Sequence, residues 1–297
     1  MKTLSVLVKR NAKIYFQDKG LFLTSLITPM ILLVLYGTFL RKVYEDSFRQ
    51  TFTAAGIQIS DKILAGCVGG QLFSSMLAVS CVTVAFCSNL VMVQDKVTGA
   101  RRDLTVTPVK ASTLALGYYF ATLISTLIVC LTALGVCFVY LAITGWCLRF
   151  ADVAAVLLDV ILLVLFGTAL SSCILFPMST QGQASGVGTI VSSGYGFICG
   201  AYMPISSFSK GLQNAVALLP GTYGTALMRN HAMNGPFRAM EAEGIPAAVI
   251  DAIRDSVDCN IYAFGTKITV PGMYAILLGA IALLVLLYIL LNRLYRK

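Results

Sequence analysis

The sequence predicts an all-α membrane protein: six transmembrane helices, an amphipathic N-terminal interfacial helix and a re-entrant helical hairpin before the last span. Of its 297 residues, 58% are hydrophobic and 12% are charged, whereas a soluble domain is about 25% charged. The apolar residues form runs that can cross a bilayer, which takes roughly 20 helical residues. Pro204 and Pro220 break the pattern near membrane depth, where a broken backbone must pack in protein or line a cavity.

The six apolar runs define the predicted spans. They cover residues 21–40, 64–93, 113–143, 153–175, 183–201 and 271–291. The second and third are longer than a perpendicular crossing needs, so we expect them to tilt or to project from the bilayer. Residues 1–297 are expected to form one transmembrane domain.

Residues 1–20 predict a helix that lies in the headgroup plane and ends at Gly20. Its apolar face follows helical spacing through Leu4, Leu7, Asn11, Ile14 and Tyr15. Basic residues are expected to project around the other side, namely Lys2, Lys9, Arg10 and Lys13. The alternative is a charged signal that only fixes orientation.

The charge distribution predicts that both termini are cytoplasmic. With that orientation the inside segments carry twelve basic and three acidic residues, including Arg293, Arg296 and Lys297 at the end of the chain. The outside segments carry ten basic and nine acidic residues. This is the positive-inside bias. It accounts for the net charge of +9, so nucleic-acid binding is not needed to explain it and none is expected.

The cysteines and the single histidine give no metal-binding pattern. Most of the nine cysteines lie in apolar spans, and no Cys-x-x-Cys occurs. We expect them to act as small hydrophobic residues. His231 is predicted to be a hydrogen-bonded loop residue, and no metal or other cofactor is expected on this chain.

Residues 94–112 form a short basic elbow between two long spans. Gly99 is predicted to end one helix, Pro108 to start or redirect the next, and Thr107 to cap the helix after it. A structured elbow is a natural surface for a cytosolic partner. The alternative is an ordinary solvated loop.

Residues 200–229 contain the predicted hairpin. The motif reads Gly200-x3-Pro204, then Leu219-Pro220-x2-Tyr223, and ends at Arg229. The outside segment 230–268 follows, with an amphipathic helix predicted around 245–257. We interpret this segment as a covering cap, or as a lid or docking site for an envelope partner.

Asp159 is the one acidic residue well inside a predicted span. Acids at membrane depth are costly and face the protein interior or water. We predict that Asp159 lies on a pathway, where it would bind a cationic group or a proton, or that it reaches the interface or pairs within the bundle.

Two motifs resemble one family, the type-two ABC exporter permeases. Asp95, Gly99, Leu104 and the run Thr107-Pro108-Val109 resemble the cytoplasmic coupling elbow of that family. The hairpin motif resembles its re-entrant hairpin. This chain departs from the family at Arg101 and Arg102, where hydrophobic and acidic residues are common. We include both arginines in the predicted coupling set.

The resemblance implies a permease that moves an amphipathic or hydrophobic substrate (a drug, peptide or lipid) out of a bacterium through its cytoplasmic membrane. The chain has no Gly-x4-Gly-Lys-Ser/Thr phosphate loop. The resemblance therefore implies a separate ABC ATPase subunit in two copies, which would hold ATP and Mg. A second permease copy is also implied, as a homodimer or a heteromeric pair.

Two alternatives belong to other classes. A membrane-embedded lipid-modifying enzyme would need paired acids or clustered histidines, and the one adjacent acidic pair, Glu45-Asp46, is in an outside loop. A secondary transporter driven by an ion gradient would show more intramembrane polar residues and an internal repeat. For that alternative, Asp159 is the residue of interest.

Overall fold

The computed structural model describes residues 2–54 and 56–294 and is almost entirely helical. Met1, Arg296 and Lys297, which belong to the predicted cytoplasmic segments, lie outside the described residues. The helices are α1 (Lys2–Gln17), α2 (Lys19–Leu35), α3 (Arg41–Ala54), α4 (Asp61–Val97), α5 (Ala100–Val106), α6 (Ala111–Thr144), α7 (Phe150–Leu175), α8 (Gln181–Ile198), α9 (Lys210–Ala217), α10 (Pro220–Ala242), α11 (Ala247–Ser256) and α12 (Val270–Leu294). A π-helical turn, Tyr36–Leu40, joins α2 to α3, and a 3-10 turn, Ile205–Ser207, precedes α9. Strands β1 (Ile261–Ala263) and β2 (Thr266–Ile268) pair antiparallel.

The all-α membrane fold is confirmed, and five of the six predicted spans have helices of suitable length and hydropathy. These are the continuous helix Lys19–Thr53 and helices α4, α6, α7 and α12. The predicted span 183–201 corresponds to α8, which contains five glycines and three serines. Because of this composition, α8 is not among the helices apolar enough to cross a membrane. The span 183–201, the fifth in chain order, therefore stays a prediction.

Helix α4 is the centre of the bundle. Every residue in its most apolar stretch is buried, and it packs against α2, α6, α7 and α10. A helix that is buried all round needs no polar face. Helix α12 is as apolar but largely exposed, as expected of a helix that faces lipid.

The N-terminal region differs from the prediction in two ways. Helix α1 ends at Gln17, and Asp18 caps α2 by accepting a hydrogen bond from the Leu21 amide at 3.1 Å. The break therefore falls at Asp18, because its carboxylate satisfies the amide, and not at Gly20. Arg10 also turns inward to an acidic partner on α4. The predicted helical face is confirmed, since Leu7, Asn11 and Tyr15 are buried.

The first predicted span does not end at residue 40. The helix continues through the π-helical turn into α3, which is amphipathic and reaches Ala54. Apolar character ends near residue 40, but nothing in the chain there breaks a helix.

The predicted backbone breaks at Pro204 and Pro220 are present. Pro204 immediately precedes the 3-10 turn, and Pro220 occupies the first turn of α10, where its missing N–H costs nothing. Helix α10 runs to Ala242, so no boundary lies at 229/230, and His231 is helical and not in a loop. Helix α11 confirms the amphipathic helix. The re-entrant placement of 200–229 in the bilayer stays a prediction.

Candidate functional site

The elbow contains one short helix, α5, between the ends of α4 and α6. Gly99 joins α4 to α5 with φ +83°, a left-handed conformation that glycine adopts without strain. The Thr107 hydroxyl donates to the Leu104 carbonyl at 2.6 Å and closes the end of α5. Helix α6 begins later, after Lys110. The prediction that Thr107 caps the following helix is therefore wrong, because its hydroxyl bonds the preceding turn.

Asp95 ties the start of the elbow to two other helices. Its side chain is buried, with 5% of the residue exposed. The Arg10 guanidinium donates to both carboxylate oxygens, with Nη2 at 3.0 Å from Oδ1. The Tyr118 hydroxyl donates at 2.6 Å. The hydrogen bond to Asp95 raises the pKa of Arg10 above its usual value. Helices α1, α4 and α6 are thus joined by one carboxylate.

Lys96, the next residue, ties the elbow to α7. Its ammonium donates to the carbonyls of Phe176 and, at 2.9 Å, of Met178, just beyond the end of α7. A cation suits the negative end of a helix dipole. Lys96 Nζ also lies 5.2 Å, and Arg101 Cζ 5.4 Å, from the centre of the Phe176 ring, within cation–π range.

The predicted coupling residues divide into an inner and an outer group. Leu104 and Val109 are half-buried against the core, as Asp95 is buried. The exposed members are Arg102, Thr107 and Pro108. The structure adds Val106, which is 84% exposed. Sequence reasoning missed it, although an apolar side chain in a polar loop was a usable signal.

Arg229 is the centre of a second buried cluster, at the opposite end of the bundle. It is 1% exposed, and its Nη atoms donate to the carbonyls of Val257 and Gly200, each at 2.8 Å. Nη2 also donates to Ser75 Oγ in α4 at 3.1 Å. The hairpin residues Gly200 and Arg229, 29 positions apart, are therefore in direct contact.

Asp258 is the acidic partner in this cluster. Its Oδ2 lies 3.4 Å from Arg229 Nη1. Its two oxygens accept hydrogen bonds from the Ile205 and Ser206 amides, at 2.6 and 3.1 Å. These amides follow Pro204, so Asp258 holds the 3-10 turn in place. Sequence reasoning missed Asp258, because nothing close to it in the chain indicates a partner.

The other two hairpin residues act locally. Pro220 starts α10, and the Tyr223 hydroxyl donates to the Ala217 carbonyl at the end of α9, at 2.6 Å. This bond fixes the angle between α9 and α10. The five hairpin residues therefore hold a turn in position.

Asp159 is buried between α7, α10 and α12. Its Oδ2 lies 2.6 Å from His231 Nδ1, and its Oδ1 accepts from the Tyr274 hydroxyl at 2.8 Å. About two turns earlier on α7, Asp152 accepts from Asn234 and Arg238 of α10. Burial lowers the pKa of His231, but the hydrogen bond and charge of Asp159 raise it more, and the net shift is upward.

A lateral pocket of about 750 Å³ opens between α2, α4 and α8. Its wall combines hydroxyl-bearing and apolar side chains, and no Asp, Glu, Lys, Arg or His lines it. The hydroxyls come from Thr24, Thr28, Tyr36, Ser185, Thr189, Ser192, Ser193 and Tyr202. The buried Tyr36 hydroxyl has no hydrogen-bond partner in the described part of the chain. Asp159 is not part of this wall, and its pathway role stays a prediction.

The cysteines and the potential metal ligands form no disulfide and no ligand cluster among the described residues. The nine cysteines are free, and eight of them are buried. Within ranges 2–54 and 56–294, no group of three or more His, Cys, Asp or Glu side chains is arranged to hold a metal ion.

A polytopic helical bundle with an anchored elbow and an uncharged lateral pocket has the architecture of a membrane transport subunit. The family model for ABC-2 type transporters matches residues 2–232, which is well over half of the chain. The chain belongs to the ABC-2 type transporter family and is a transmembrane permease component of an ABC transporter. Among curated proteins, no sequence match was found. The matched region includes the elbow, the pocket and Arg229, but ends before Asp258.

Proposed function

We propose that this chain is the transmembrane half of an ATP-driven exporter, powered by a separate ATPase subunit, that moves an amphipathic or hydrophobic substrate out of the cell. The observation that carries the proposal is the elbow: its outer surface is free, while its inner surface is tied to four helices. Arg102, Val106 and Pro108 are exposed, and Asp95 and Lys96 hold the same segment from within.

The anchoring explains how an ATPase would move the permease. A partner that binds α5 pushes on a segment that cannot bend independently, because Asp95 connects it to α1 and α6, and Lys96 connects it to the end of α7. Force on the elbow is therefore converted to rigid-body movement of the bundle. ATP and Mg would be held by the partner, in two copies.

The lateral pocket is the proposed substrate pathway. An uncharged wall with scattered hydroxyls suits a substrate that is mostly apolar and has a few hydrogen-bonding groups. Tyr36 lines the pocket, and it lies in the π-helical turn, a distortion that is frequent at functional sites.

A second permease copy would close the open side of this pocket. The exposed apolar surface of α2 borders it, and the glycines of α8 outside the pocket wall leave room for close approach, since a Cβ at Gly182 or Gly186 would meet nothing within 4 Å. Small residues of this kind favour helix association in membranes. A homodimer is the simplest assembly, and a heteromeric pair is the alternative. The location is the cytoplasmic membrane of a bacterium, with both termini inside.

The test is co-purification of the tagged chain with a co-expressed ABC ATPase encoded beside it, followed by ATP turnover. Arg102→Glu reverses an exposed charge on the elbow and should abolish the complex. Lys210→Glu makes the same change on α9, at the opposite end of the bundle, and should leave the complex intact. Equal association of both variants would contradict the assignment of the elbow.

An ion-gradient-driven transporter is the second candidate, because Asp159 and His231 form a titratable pair in the bundle. Uptake into proteoliposomes under a pH gradient without ATP would favour it. Under the exporter proposal, a pH gradient alone drives no uptake. Transport then requires the ATPase and ATP.

A further inference from the structure

A second pocket lies at the elbow end of the bundle, and the helices that line it are not those that line the lateral pocket. It has a volume of about 580 Å³ and lies between the start of α6 and the end of α12. Its floor is formed by Ala115 and Tyr288, which are in contact through a hydrogen bond from the Tyr288 hydroxyl to the Ala115 carbonyl at 3.2 Å. None of the residues discussed in the proposed function lines it.

The rim of this pocket carries two cations. Lys110 precedes α6 and Arg293 lies in the last turn of α12. Both are exposed, and neither has an ion-pair or side-chain hydrogen-bond partner among the described residues. No acidic residue lines the pocket. Its polar wall is completed by Ser112 and Asn292, so the site is built for an anion.

Below the cations the wall is apolar and open to lipid. Leu116 is 39% exposed and Ile289 is 41% exposed. Lys110 and Leu116 are six positions apart along the start of α6, a rise of about 9 Å. Ile289 and Arg293 are four positions apart on α12, a rise of about 6 Å. The charged rim and the apolar wall are thus spaced like the headgroup and the first acyl carbons of a lipid.

We propose that this pocket binds an anionic phospholipid, with the phosphate between Lys110 and Arg293 and an acyl chain along Leu116 and Ile289. Leu116 and Ile289 belong to helices that are long and apolar enough to cross a membrane. Once these helices span a bilayer, a soluble protein partner would reach the rim but not the apolar wall. Under the proposed orientation the site faces the inner leaflet, where anionic lipids attract juxtamembrane cations. This leaflet assignment rests on the proposed function, but the binding site does not.

The bound lipid would join α6, which follows the elbow in the chain, to α12. Helix α6 continues directly from the elbow, and α12 otherwise meets it mainly through the Tyr288 bond. Occupancy of the pocket therefore stabilises the contact between α6 and α12.

The test compares lipid binding to the purified chain in detergent by native mass spectrometry, with phosphatidylglycerol and phosphatidylcholine as probes. The wild type should bind phosphatidylglycerol more tightly than phosphatidylcholine. Lys110→Gln with Arg293→Gln should weaken that binding about 30-fold, the effect expected for two juxtamembrane charges. The matched control is Lys42→Gln with Lys210→Gln, which removes two exposed cations outside the pocket and outside the predicted interfacial helix and should leave binding unchanged.

Three outcomes would overturn the proposal. Equal losses in both double variants would mean general electrostatic attraction and no site. Competition by inorganic phosphate at equal affinity would mean a free-anion site without an acyl chain. Unchanged lipid binding in Lys110→Gln with Arg293→Gln, combined with weaker ATPase association, would assign the rim to the protein partner. Leu116→Ser provides a second check, since it should weaken lipid binding without removing charge.

Discussion

The guanidinium of Arg10, in the first helix, donates to both oxygens of the buried Asp95 carboxylate at the end of α4, across 85 positions of sequence. This pair places the N-terminal helix against the elbow and leaves the elbow's outer surface free. Under the proposed function, Asp95 would contribute to coupling from the inside of the molecule, by holding the elbow, and would not itself contact a partner.

Breaking the Arg10–Asp95 pair should destabilise the fold. Asp95→Asn and Arg10→Gln should each lower the free energy of unfolding by about 1–3 kcal/mol, the range for a lost charged hydrogen bond in a partly buried site. The double variant should be no worse than the worse single variant, because both charges are then gone. Thermal unfolding in detergent measures this.

Lys13→Gln is the control for that series. Lys13 is exposed on the same helix and has no side-chain partner in the described part of the chain, so its replacement should leave the unfolding temperature unchanged. Strictly additive effects of the Arg10 and Asp95 replacements would show that the two side chains do not interact.

Arg229→Met should be among the most damaging single changes, because it leaves Asp258 buried without its cation. The expected loss is about 3–5 kcal/mol. Arg229→Lys keeps the charge and should be milder, which gives a readout even if Arg229→Met does not fold. Thermal unfolding and monodispersity of the purified variants report both. If Arg229→Met and Arg229→Lys were equally mild, the cluster would not hold the hairpin.

The Asp159–His231 pair predicts a pH dependence of stability. The pKa of His231 is raised above its ordinary 6.5 in the folded protein, because the attraction of Asp159 outweighs burial. The other groups near the ring are Tyr274 and Asp152. A raised histidine pKa stabilises the fold fully below the unfolded-state pKa, and this contribution is lost as pH rises through the folded-state pKa.

The measurement is the unfolding temperature of the wild type and of His231→Gln between about pH 6 and 8.5. The wild type should unfold at a higher temperature than His231→Gln, and this difference in unfolding temperature should be largest near pH 6 and should shrink as the pH rises. A difference in unfolding temperature that is constant, or that grows with pH, would show that the folded state does not raise the pKa of His231 above its unfolded-state value.

Filling the lateral pocket should block transport without harming the fold. Gly188 lines the pocket, and a Cβ there would meet nothing within 4 Å. Gly188→Leu should therefore place its side chain in the pocket and abolish most export of amphipathic dyes, with ATPase association retained. Leucine also has a higher helix propensity than glycine, by up to about 1 kcal/mol, so the substitution should not destabilise α8.

Gly194→Leu is the matched variant on the same helix. Gly194 is equally open but does not line the pocket, so this change should leave export intact. If both variants exported at the wild-type rate, the pocket would not be the pathway.

Much of the fold was predictable from apolar run length, and the remainder depended on composition or on contacts. Helix α7 ends at Leu175, as predicted, whereas α4 extends to Val97. That extension is possible because Asp95 and Lys96 find partners on other helices and do not end the helix. Helix α8 was predicted as a span because residues 183–201 form an apolar run, but its five glycines and three serines reduce its hydropathy.

The candidate site was predictable where the signal is local. The role of Gly99 followed from its conformational freedom, and the breaks at Pro204 and Pro220 from the lack of an amide hydrogen. The partners of Asp95 and Arg229 were not predictable, because Arg10 and Asp258 come close to them only after the helices pack. No spacing in the sequence reports such contacts.

The most direct test of the central claim is the accessibility of Val106→Cys to a bulky maleimide, with and without the ATPase. The native cysteines are buried or half-buried, whereas residue 106 is exposed, so the label should report on the elbow. The account predicts rapid labelling of the isolated permease and strong protection in the complex, with Lys210→Cys labelled equally in both. Unchanged labelling of Val106→Cys in a stable ATPase complex would contradict the claim that the motor acts through the elbow.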